Sequence, residues 1–238
     1  MAVVAAAGIG AAKSGFGGLS IFHVLVFALL FGARESTGVV LPMLIFGDVT
    51  AVATFRQHTR WDYVRRMLPP ACIGVVIGAA VMHRISDLAF KPLIGWIILG
   101  LALMQLIRLQ WPDWLGEVPH ARWFAWSMGL LAGVTTMLAN AAGPIMAIYA
   151  LAIALPKFEY VGTSAWMFLI LNLFKVPFSL ALGLIRWQTL LVNVVLIPAI
   201  VVGLVAGRWL IRRVPQRLFD ALLLGFAGLA ALRLIVGN

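Results

Sequence analysis

Three charged residues lie well inside apolar stretches of this sequence: Lys13, Asp48 and Lys175. A charge inside a membrane-spanning helix costs about 2.5–3.5 kcal/mol on insertion scales, so such residues are functional candidates. The two lysines are suited to hold an anion, and Asp48 is suited to carry a coupling proton. The structural alternative is that Asp48 forms a buried ion pair with one lysine, or that Lys13 extends its ammonium group to water.

Two short elements of mostly small residues, Lys13–Gly18 and Asn140–Pro144, each interrupt a pair of short apolar segments. A helix that begins after such a break has backbone N–H groups without partners in the helix, and its partial positive charge favours an anion. We therefore predict that both breaks bind a small anionic substrate. The predicted substrate-binding residues are Lys13, Ser14, Gly15, Phe16, Gly17, Gly18, Asn140, Ala141, Ala142, Gly143 and Lys175. The alternative is that the small residues only allow close helix packing.

Further polar residues near the breaks or on adjoining segments could line the same path. They are Ser36, Thr37, Thr163, Ser164, Asn172 and His23. The alternative for each is a polar contact between helices, which is common in membrane bundles. No cofactor or metal is predicted, and the single cysteine excludes an intrachain disulfide and a thiolate metal site.

The composition shows what kind of element must position these residues. Apolar residues make up 63% of the 238 residues and charged residues only 11%, with a mean hydropathy of +1.04. Soluble domains have about 45–50% apolar and about 25% charged residues, so this composition indicates an integral membrane protein. No polar stretch is long enough for a water-facing domain. The net charge of +10 therefore indicates positive-inside bias rather than a nucleic-acid partner.

Apolar runs divide the chain into ten segments, of which six approach the ~20 residues needed to span a bilayer. These six are the third to fifth segments of each half, and they are predicted to be spanning helices. The other four form the two short pairs at the breaks. The segments are Ala2–Ala12, Leu19–Phe31, Ser36–Phe55, Tyr63–Met82, Leu88–Leu109, Ala121–Ala139, Pro144–Leu155, Val161–Gly183, Thr189–Ile211 and Leu218–Val236.

The same order of long and short segments occurs twice, which predicts an internal repeat. Residues at a nearly constant offset include Gly18 and Gly143, Asp48 and Asn172, Trp61 and Trp187, Gly74 and Gly203, and Gly78 and Gly207. The last two pairs place glycines four apart on one helix face, where close packing is the expected role. The predicted divisions are a first repeat at 1–110, a connector at 111–120 and a second repeat at 121–238.

The positions of basic residues predict how the two repeats are oriented. Four arginines lie in the Arg56–Arg66 link, whereas its counterpart in the second half has only Arg186. The bias is reversed in the last link, where the second half has four arginines over Arg208–Arg217 and the first half has only Arg84 and Lys91. Because basic links stay in the cytoplasm, the two halves are predicted to lie upside down relative to each other.

Such inversion requires an odd number of crossings in each half. Five crossings satisfy it, and so do three crossings with a re-entrant hairpin made from the short pair. The predicted fold is therefore an all-α membrane protein with two inverted repeats, each containing three spanning helices and a broken or re-entrant pair. The Arg56–Arg66 link, the Gln110–His120 connector and the Arg208–Arg217 link would share the cytoplasmic side, with both termini outside. Inverted repeats with interrupted segments are typical of secondary transporters, whose substrate sites lie at the breaks.

The motifs of the chain also resemble those of the sulfite exporter TauE/SafE family. The resemblance covers nearly the whole chain and rests on the stretch Ala11–Gly18, on Leu41-Pro42, Gly47-Asp48, Arg60-Trp61-Asp62, Gly143-Pro144 and Gly162-Thr163, and on Asn172. The glycine run after Phe16 is shorter than is usual in that family. Membership implies a multi-pass permease of the cytoplasmic (inner) membrane for small sulfur anions, such as sulfite or organosulfonates, driven by an ion gradient.

Other functions are the alternatives to a transporter. An anion channel would differ by lacking saturation and gradient coupling, and a membrane scaffold subunit would need neither broken repeats nor buried charges. An enzyme is not predicted, because Asp48 is the only mid-span carboxylate and no HExxH motif or Ser with a His partner at a suitable depth is present. The predicted partners are a small anion and the lipid bilayer, and a homodimer stays an open alternative.

Overall fold

A computed structural model of the chain describes residues 1–13, 19–111 and 122–210. Within these ranges the chain is helical, with nine α-helices, one short 3₁₀ turn at Arg56–His58 and no strand. The helices are α1 (Ala2–Lys13), α2 (Leu19–Phe31), α3 (Glu35–Phe55), α4 (Trp61–Arg84), α5 (Asp87–Gln110), α6 (Arg122–Ala139), α7 (Gly143–Ala152), α8 (Lys157–Ala181) and α9 (Trp187–Leu210). The predicted connector and the last predicted segment, Leu218–Val236, lie outside these ranges.

Five of the described helices are long and apolar enough to cross a membrane: α3, α4, α5, α8 and α9. They coincide with five of the six predicted spanning segments. Their exposed faces are apolar, as in α9, where Val194, Val195 and Val202 are all exposed. A helix that exposes valines over its length is suited to lipid rather than water. The all-helical, multi-pass prediction is confirmed for the described part of the chain.

Two helix boundaries differ from the sequence prediction. Helix α8 begins at Lys157 and not at Val161, because Pro156 precedes a first turn that contains Glu159 and faces outward. Lys157 and Glu159, which were expected in the connection before α8, therefore lie in its first turn. Helix α7 ends at Ala152 and not at Leu155, because Ala154 has a positive φ of 51° that stops the helix.

Helices α3 and α8 cross the centre of the molecule side by side in opposite directions. Near the start of α3, Gly38 lies against Leu184, just after α8 ends. In the middle, Asp48 contacts Asn172. At the end of α3, the carbonyl of Phe55 lies against Gly162 near the start of α8. The middle of each helix therefore faces the middle of the other.

Small residues bring each short pair against a long helix of the other half. In one contact, α4 and α6 meet at Gly74 and Gly133, where a Cβ on either glycine would collide with the backbone of the other helix. In the other contact, α1 and α9 meet at Gly10 and Gly203, where the same is true. The packing role predicted for the glycines of α4 and α9 is thus observed at Gly74 and Gly203.

The second short pair folds back on itself. The ring of Tyr149, near the end of α7, is 5.9 Å from that of Phe124 at the start of α6 and 6.2 Å from that of Tyr63 at the start of α4. Helix α7 has 10 residues, about 15 Å of helix, which is half of the ~30 Å bilayer core. It therefore returns to the side from which α6 comes. This contact favours the re-entrant alternative over a full crossing for α7.

Candidate functional site

A cavity lies between the end of α1, the beginning of α2 and the break that follows α6. It is bordered by the ends of α1 and α6, the beginnings of α2 and α7, and the middle of α3 and α8. Its lining residues are Ala12, Lys13, Ser20, His23, Leu44, Thr136, Asn140, Ala142, Gly143, Tyr160, Phe168 and Asn172. The first turns of α2 and α7 thus border one cavity, an arrangement that suits an anion.

Lys13 reaches this cavity because it is the last residue of α1. Its ammonium nitrogen is 2.5 Å from Oδ1 of Asp48 and 4.8 Å from the ring centre of Phe168, and its side chain is 11% exposed. Gly47 makes room for the stem, since a Cβ there would lie 3.2 Å from Cγ of Lys13. A cation at the C-terminal end of α1 also complements the partial negative charge of that helix end.

Asp48 is the carboxylate at the centre of this arrangement. Its side chain is 0% exposed, and its second oxygen, Oδ2, accepts a hydrogen bond of 2.7 Å from Nδ2 of Asn172. A buried carboxylate is tolerated when it is both paired and hydrogen-bonded. Both conditions are met here, by Lys13 on one oxygen and by Asn172 on the other.

Lys175 lies behind the cavity wall, about one turn beyond Asn172 along α8. Its ammonium group donates to Oδ1 of Asn140 at 2.5 Å, to Oδ1 of Asn172 at 3.1 Å and to Oγ1 of Thr136 at 3.2 Å. It is 2% exposed and does not line the cavity that Lys13 borders. A continuous chain of contacts therefore runs from Lys13 through Asp48 and Asn172 to Lys175.

Asn140 connects the second break to the rest of the network. It follows the last residue of α6 with a positive φ of 53°, a conformation that asparagine tolerates better than most residues and that ends a helix. Its Nδ2 donates to the carbonyl oxygen of Thr37 at 3.0 Å, so the break is attached to the start of α3. The same side chain accepts from Lys175, which places a cation near the C-terminal end of α6.

The network contains two lysines and one carboxylate. Among the described residues, its titratable side chains are Lys13, Asp48 and Lys175, and Asp48 is the only buried carboxylate. With two helix N-termini facing the same cavity, the site can hold an anion without a metal ion or a cofactor.

A comparison with protein-family models agrees with this geometry. The model described as sulfite exporter TauE/SafE matches residues 1–234. The chain belongs to the sulfite exporter TauE/SafE family. The resemblance expected from the motifs is thereby confirmed, and the chain is a multi-pass membrane protein of a family of transporters for sulfur anions. Searches among curated proteins and among solved structures gave no match.

Several predicted site residues of this TauE/SafE family member come together in the cavity. Six of them line it: Lys13, His23, Asn140, Ala142, Gly143 and Asn172. Ala141 is fully buried and is not part of the lining. Lys175 contacts the network but not the cavity. Ser14, Gly15, Phe16, Gly17 and Gly18 lie outside the described residues.

The remaining polar candidates have other partners or border other cavities. Ser36 and Thr37 donate to the carbonyl oxygens of Ala33 and Arg34, within the turn that opens α3. They also line a small cavity on that side of Asn140. Their hydroxyl groups therefore bond to carbonyls of their own turn and not to a neighbouring helix.

On the other side of the site, a second cavity extends from Lys13 along the first turns of α8. Ser164 lines it, together with Tyr160. Thr163 is fully buried, and its Oγ1 accepts a hydrogen bond of 3.0 Å from the backbone N–H of Arg60. Thr163 thus attaches α8 to the start of α4, and Ser164 borders this second cavity.

Six lining residues were not named as site residues from the sequence: Ala12, Ser20, Leu44, Thr136, Tyr160 and Phe168. A periodic signal was available for the last three. Residues 160, 164, 168 and 172 are each four apart, so they share one face of α8 with Asn172. Thr136 is likewise four residues before Asn140. Extending each polar candidate by one helical turn would have included all three.

Proposed function

We propose that this TauE/SafE family member is a secondary transporter that moves sulfite or an organosulfonate across the cytoplasmic membrane, coupled to the proton gradient. The observation that carries the proposal is the cavity bordered by the end of α1 and the first turns of α2 and α7, with the ammonium group of Lys13 and the side-chain amides of Asn140 and Asn172 on its wall. An anion is the ligand that this ammonium group and the two helix N-termini favour. The choice of a sulfur anion comes from the family.

The helix contacts support an inverted repeat for this transporter. Under the repeat, α1 corresponds to α6 and α4 to α9. The packing of α1 on α9 is then the counterpart of the packing of α6 on α4, and both use glycines at the crossing, Gly203 and Gly74. Asp48 and its counterpart Asn172 contact each other at the centre of the antiparallel helices α3 and α8. Contact between equivalent residues is expected where a pseudo-two-fold axis passes.

The substrate would bind to groups that face the cavity. Lys13 supplies a cation that is partly accessible, Asn140 and Asn172 supply side-chain amides, and Gly143 begins α7 with an N–H that has no partner within its helix. The aromatic ring of Phe168 lies beside Lys13 and borders the same space. An oxyanion with a small organic group would fill both the polar and the apolar parts of the wall.

Asp48 is the group that we assign to proton coupling. An incoming anion competes with Asp48 for Lys13, and a carboxylate that loses its cation in a buried place gains a proton more readily. Anion binding and protonation of Asp48 would therefore favour each other. The alternative, a purely structural ion pair, predicts that Asp48 affects stability but not coupling.

Ligand binding to the purified full chain tests the proposal. Calorimetry with sulfite, ethanesulfonate and taurine, and with acetate as the carboxylate control, should show binding that prefers the sulfur anions. Lys13→Ala should weaken that binding by about 1.5–3 kcal/mol, as expected for a charged hydrogen bond. The matched control Arg34→Gln removes a cation that pairs with Asp87 away from the cavity, and it should leave affinity unchanged. Preference for a cation or a neutral amino acid would contradict the proposal.

Transport by reconstituted vesicles separates a transporter from a channel. A transporter should saturate with substrate, exchange labelled for unlabelled anion and respond to an imposed pH gradient. A channel would pass the anion down its gradient without counterflow exchange. Nonsaturable flux without exchange would therefore favour the channel alternative.

A further inference from the structure

The three side chains that bond Lys175 also line the main cavity. The side-chain nitrogen of Lys175 lies 2.5 Å from Oδ1 of Asn140, 3.1 Å from Oδ1 of Asn172 and 3.2 Å from Oγ1 of Thr136. All three partners line the cavity at the end of α1, whereas Lys175 is 2% exposed and lies behind them. Lys175 is therefore placed to act on a bound substrate through the groups that it holds.

Both asparagine amides are held from two sides. Each oxygen accepts from Lys175, while Nδ2 of Asn140 donates to the carbonyl oxygen of Thr37 at 3.0 Å. In the same way, Nδ2 of Asn172 donates to Oδ2 of Asp48 at 2.7 Å. An amide nitrogen has two N–H groups, and the described residues supply one acceptor to each of these two nitrogens. The second N–H of each amide is therefore the group that it can offer to an anion in the cavity.

This orientation of the amides does not depend on the charge of Lys175. Amide oxygens only accept, and both an ammonium group with three N–H groups and a neutral amine with two can donate to the two oxygens. The hydroxyl group of Thr136 can accept a third N–H or donate to the lone pair of an amine. Because the carbonyl of Thr37 also only accepts, the amide of Asn140 cannot be turned round without losing both of its bonds.

We propose that Lys175 is a positioning residue, which holds the amides of Asn140 and Asn172 so that their second N–H groups bind the oxygens of the substrate; the inference rests on the proposed anion-transport function. An N–H that donates to a charged acceptor makes a stronger bond than one that donates to a neutral acceptor. Donation from Lys175 to the amide oxygen also polarises the amide and strengthens its N–H groups as donors. Without Lys175 each amide loses one of its two anchors, and an oxygen that turns to the cavity repels an anion.

The test compares methanesulfonate with perchlorate by calorimetry on the purified full chain. The two anions have similar size and the same single charge, but the oxygens of perchlorate are much weaker hydrogen-bond acceptors. A change in electrostatic potential acts equally on two monoanions, so the ratio of the two affinities reports on hydrogen bonds. Wild type should prefer methanesulfonate. Lys175→Met should lower that preference by roughly tenfold to a hundredfold, the range for hydrogen bonds to a charged group.

Variants of the asparagines show whether Lys175 acts through the amides. Asn140→Gly, in which glycine tolerates the positive φ of 53°, and Asn172→Ala should each lower the same preference by roughly tenfold. In the variant that carries both, Lys175→Met should lower it no further, because no amide is left to position. The control is Phe90→Leu, which changes a fully buried ring of α5 outside the cavity lining. It should reduce stability and leave the preference unchanged.

Wild type gives a second readout that needs no lysine variant. The asparagine side-chain N–H signals in ¹⁵N NMR of the full chain report directly on the two amides, and each signal is assigned by its loss in Asn140→Gly or Asn172→Ala. Both signals should shift on addition of methanesulfonate, and much less on addition of perchlorate. A residue that only stabilises the fold predicts no such difference between the two anions.

The possible results separate this inference from the proposed function. Binding of methanesulfonate with a preference that Lys175→Met does not move would overturn the positioning role and leave anion transport standing. Equal losses of both affinities would also overturn it, because a purely structural or purely electrostatic role predicts them, and so would a further loss in the variant without the two amides. Binding of neither anion, nor of sulfite, by folded wild type would overturn both proposals. If Lys175→Met does not fold, an unchanged preference in both asparagine variants, or NMR signals that do not respond to methanesulfonate, would overturn the inference.

Discussion

Removal of Lys13 should strongly destabilise the protein, because Asp48 depends on it. The carboxylate is 0% exposed and the ammonium lies 2.5 Å from it. Lys13→Met would leave Asp48 with one hydrogen bond from Asn172 and no cation in contact. Breaking a buried ion pair from one side typically costs about 3–5 kcal/mol, and the complete burial of Asp48 places this case within that range.

The reverse substitution should cost much less. Asp48→Asn leaves Lys13 unpaired, but the lysine side chain is 11% exposed and borders the cavity, so its ammonium can reach water. The amide introduced by this substitution would also keep an oxygen to accept from Asn172. We expect a loss of about 1–2 kcal/mol, of the size of a hydrogen bond to a charged group. The double variant Lys13→Met with Asp48→Asn should recover much of the stability lost by Lys13→Met alone.

Thermal unfolding in detergent measures this cycle. A loss of 1 kcal/mol lowers Tm by about 2–4 °C in proteins of 150–250 residues, so Lys13→Met should lower it by roughly 10 °C and Asp48→Asn by a few degrees. The control is Asp87→Asn, which breaks the exposed pair with Arg34 and should change Tm little. A wild-type Tm for Lys13→Met, or a double variant no more stable than Lys13→Met, would refute the reasoning.

Three further predictions concern coupling, packing and topology. Asp48→Asn should retain substrate binding and counterflow exchange but lose uphill, pH-driven transport in vesicles, and full pH-driven transport would exclude the proton role. Gly133→Ala should lose about 1–3 kcal/mol in thermal unfolding because its Cβ would collide with the backbone of α4, whereas Gly100→Ala, with open space around it, should be neutral or gain up to about 1 kcal/mol. Single cysteines placed in the Arg56–Arg66 and Arg208–Arg217 links, after the native cysteine is replaced, should react with a membrane-impermeant reagent from the same side. Labelling from opposite sides would contradict the inverted repeat.

The spanning helices could be predicted from the sequence because their signal is local. Twenty apolar residues between charged links indicate a membrane helix whatever surrounds them, and α3, α4 and α9 match their predicted bounds to within a few residues. The direction of α7 could not be predicted in this way. A 10-residue segment after a break can continue or turn back, and the decision depends on contacts such as that of Tyr149 with Phe124.

The candidate site was predictable in its residue types but not in its pairings. A charge in an apolar helix is costly, so the sequence identifies Lys13, Asp48 and Lys175 as candidates. Their spacing does not show which lysine forms the ion pair with Asp48. The structure assigns Lys13 to Asp48 because α1 ends at the level of Gly47, where the absent Cβ admits the lysine stem.

Lys175 has neutral partners instead, and Asn172 is one of them. Under the proposed repeat, Asn172 is the counterpart of Asp48, so an amide lies where a second carboxylate would be expected. The two proposed halves therefore differ at the centre of the site, where Asp48 and Asn172 contact each other. A difference of this kind between equivalent positions says more about the ligand than the positions at which the halves agree.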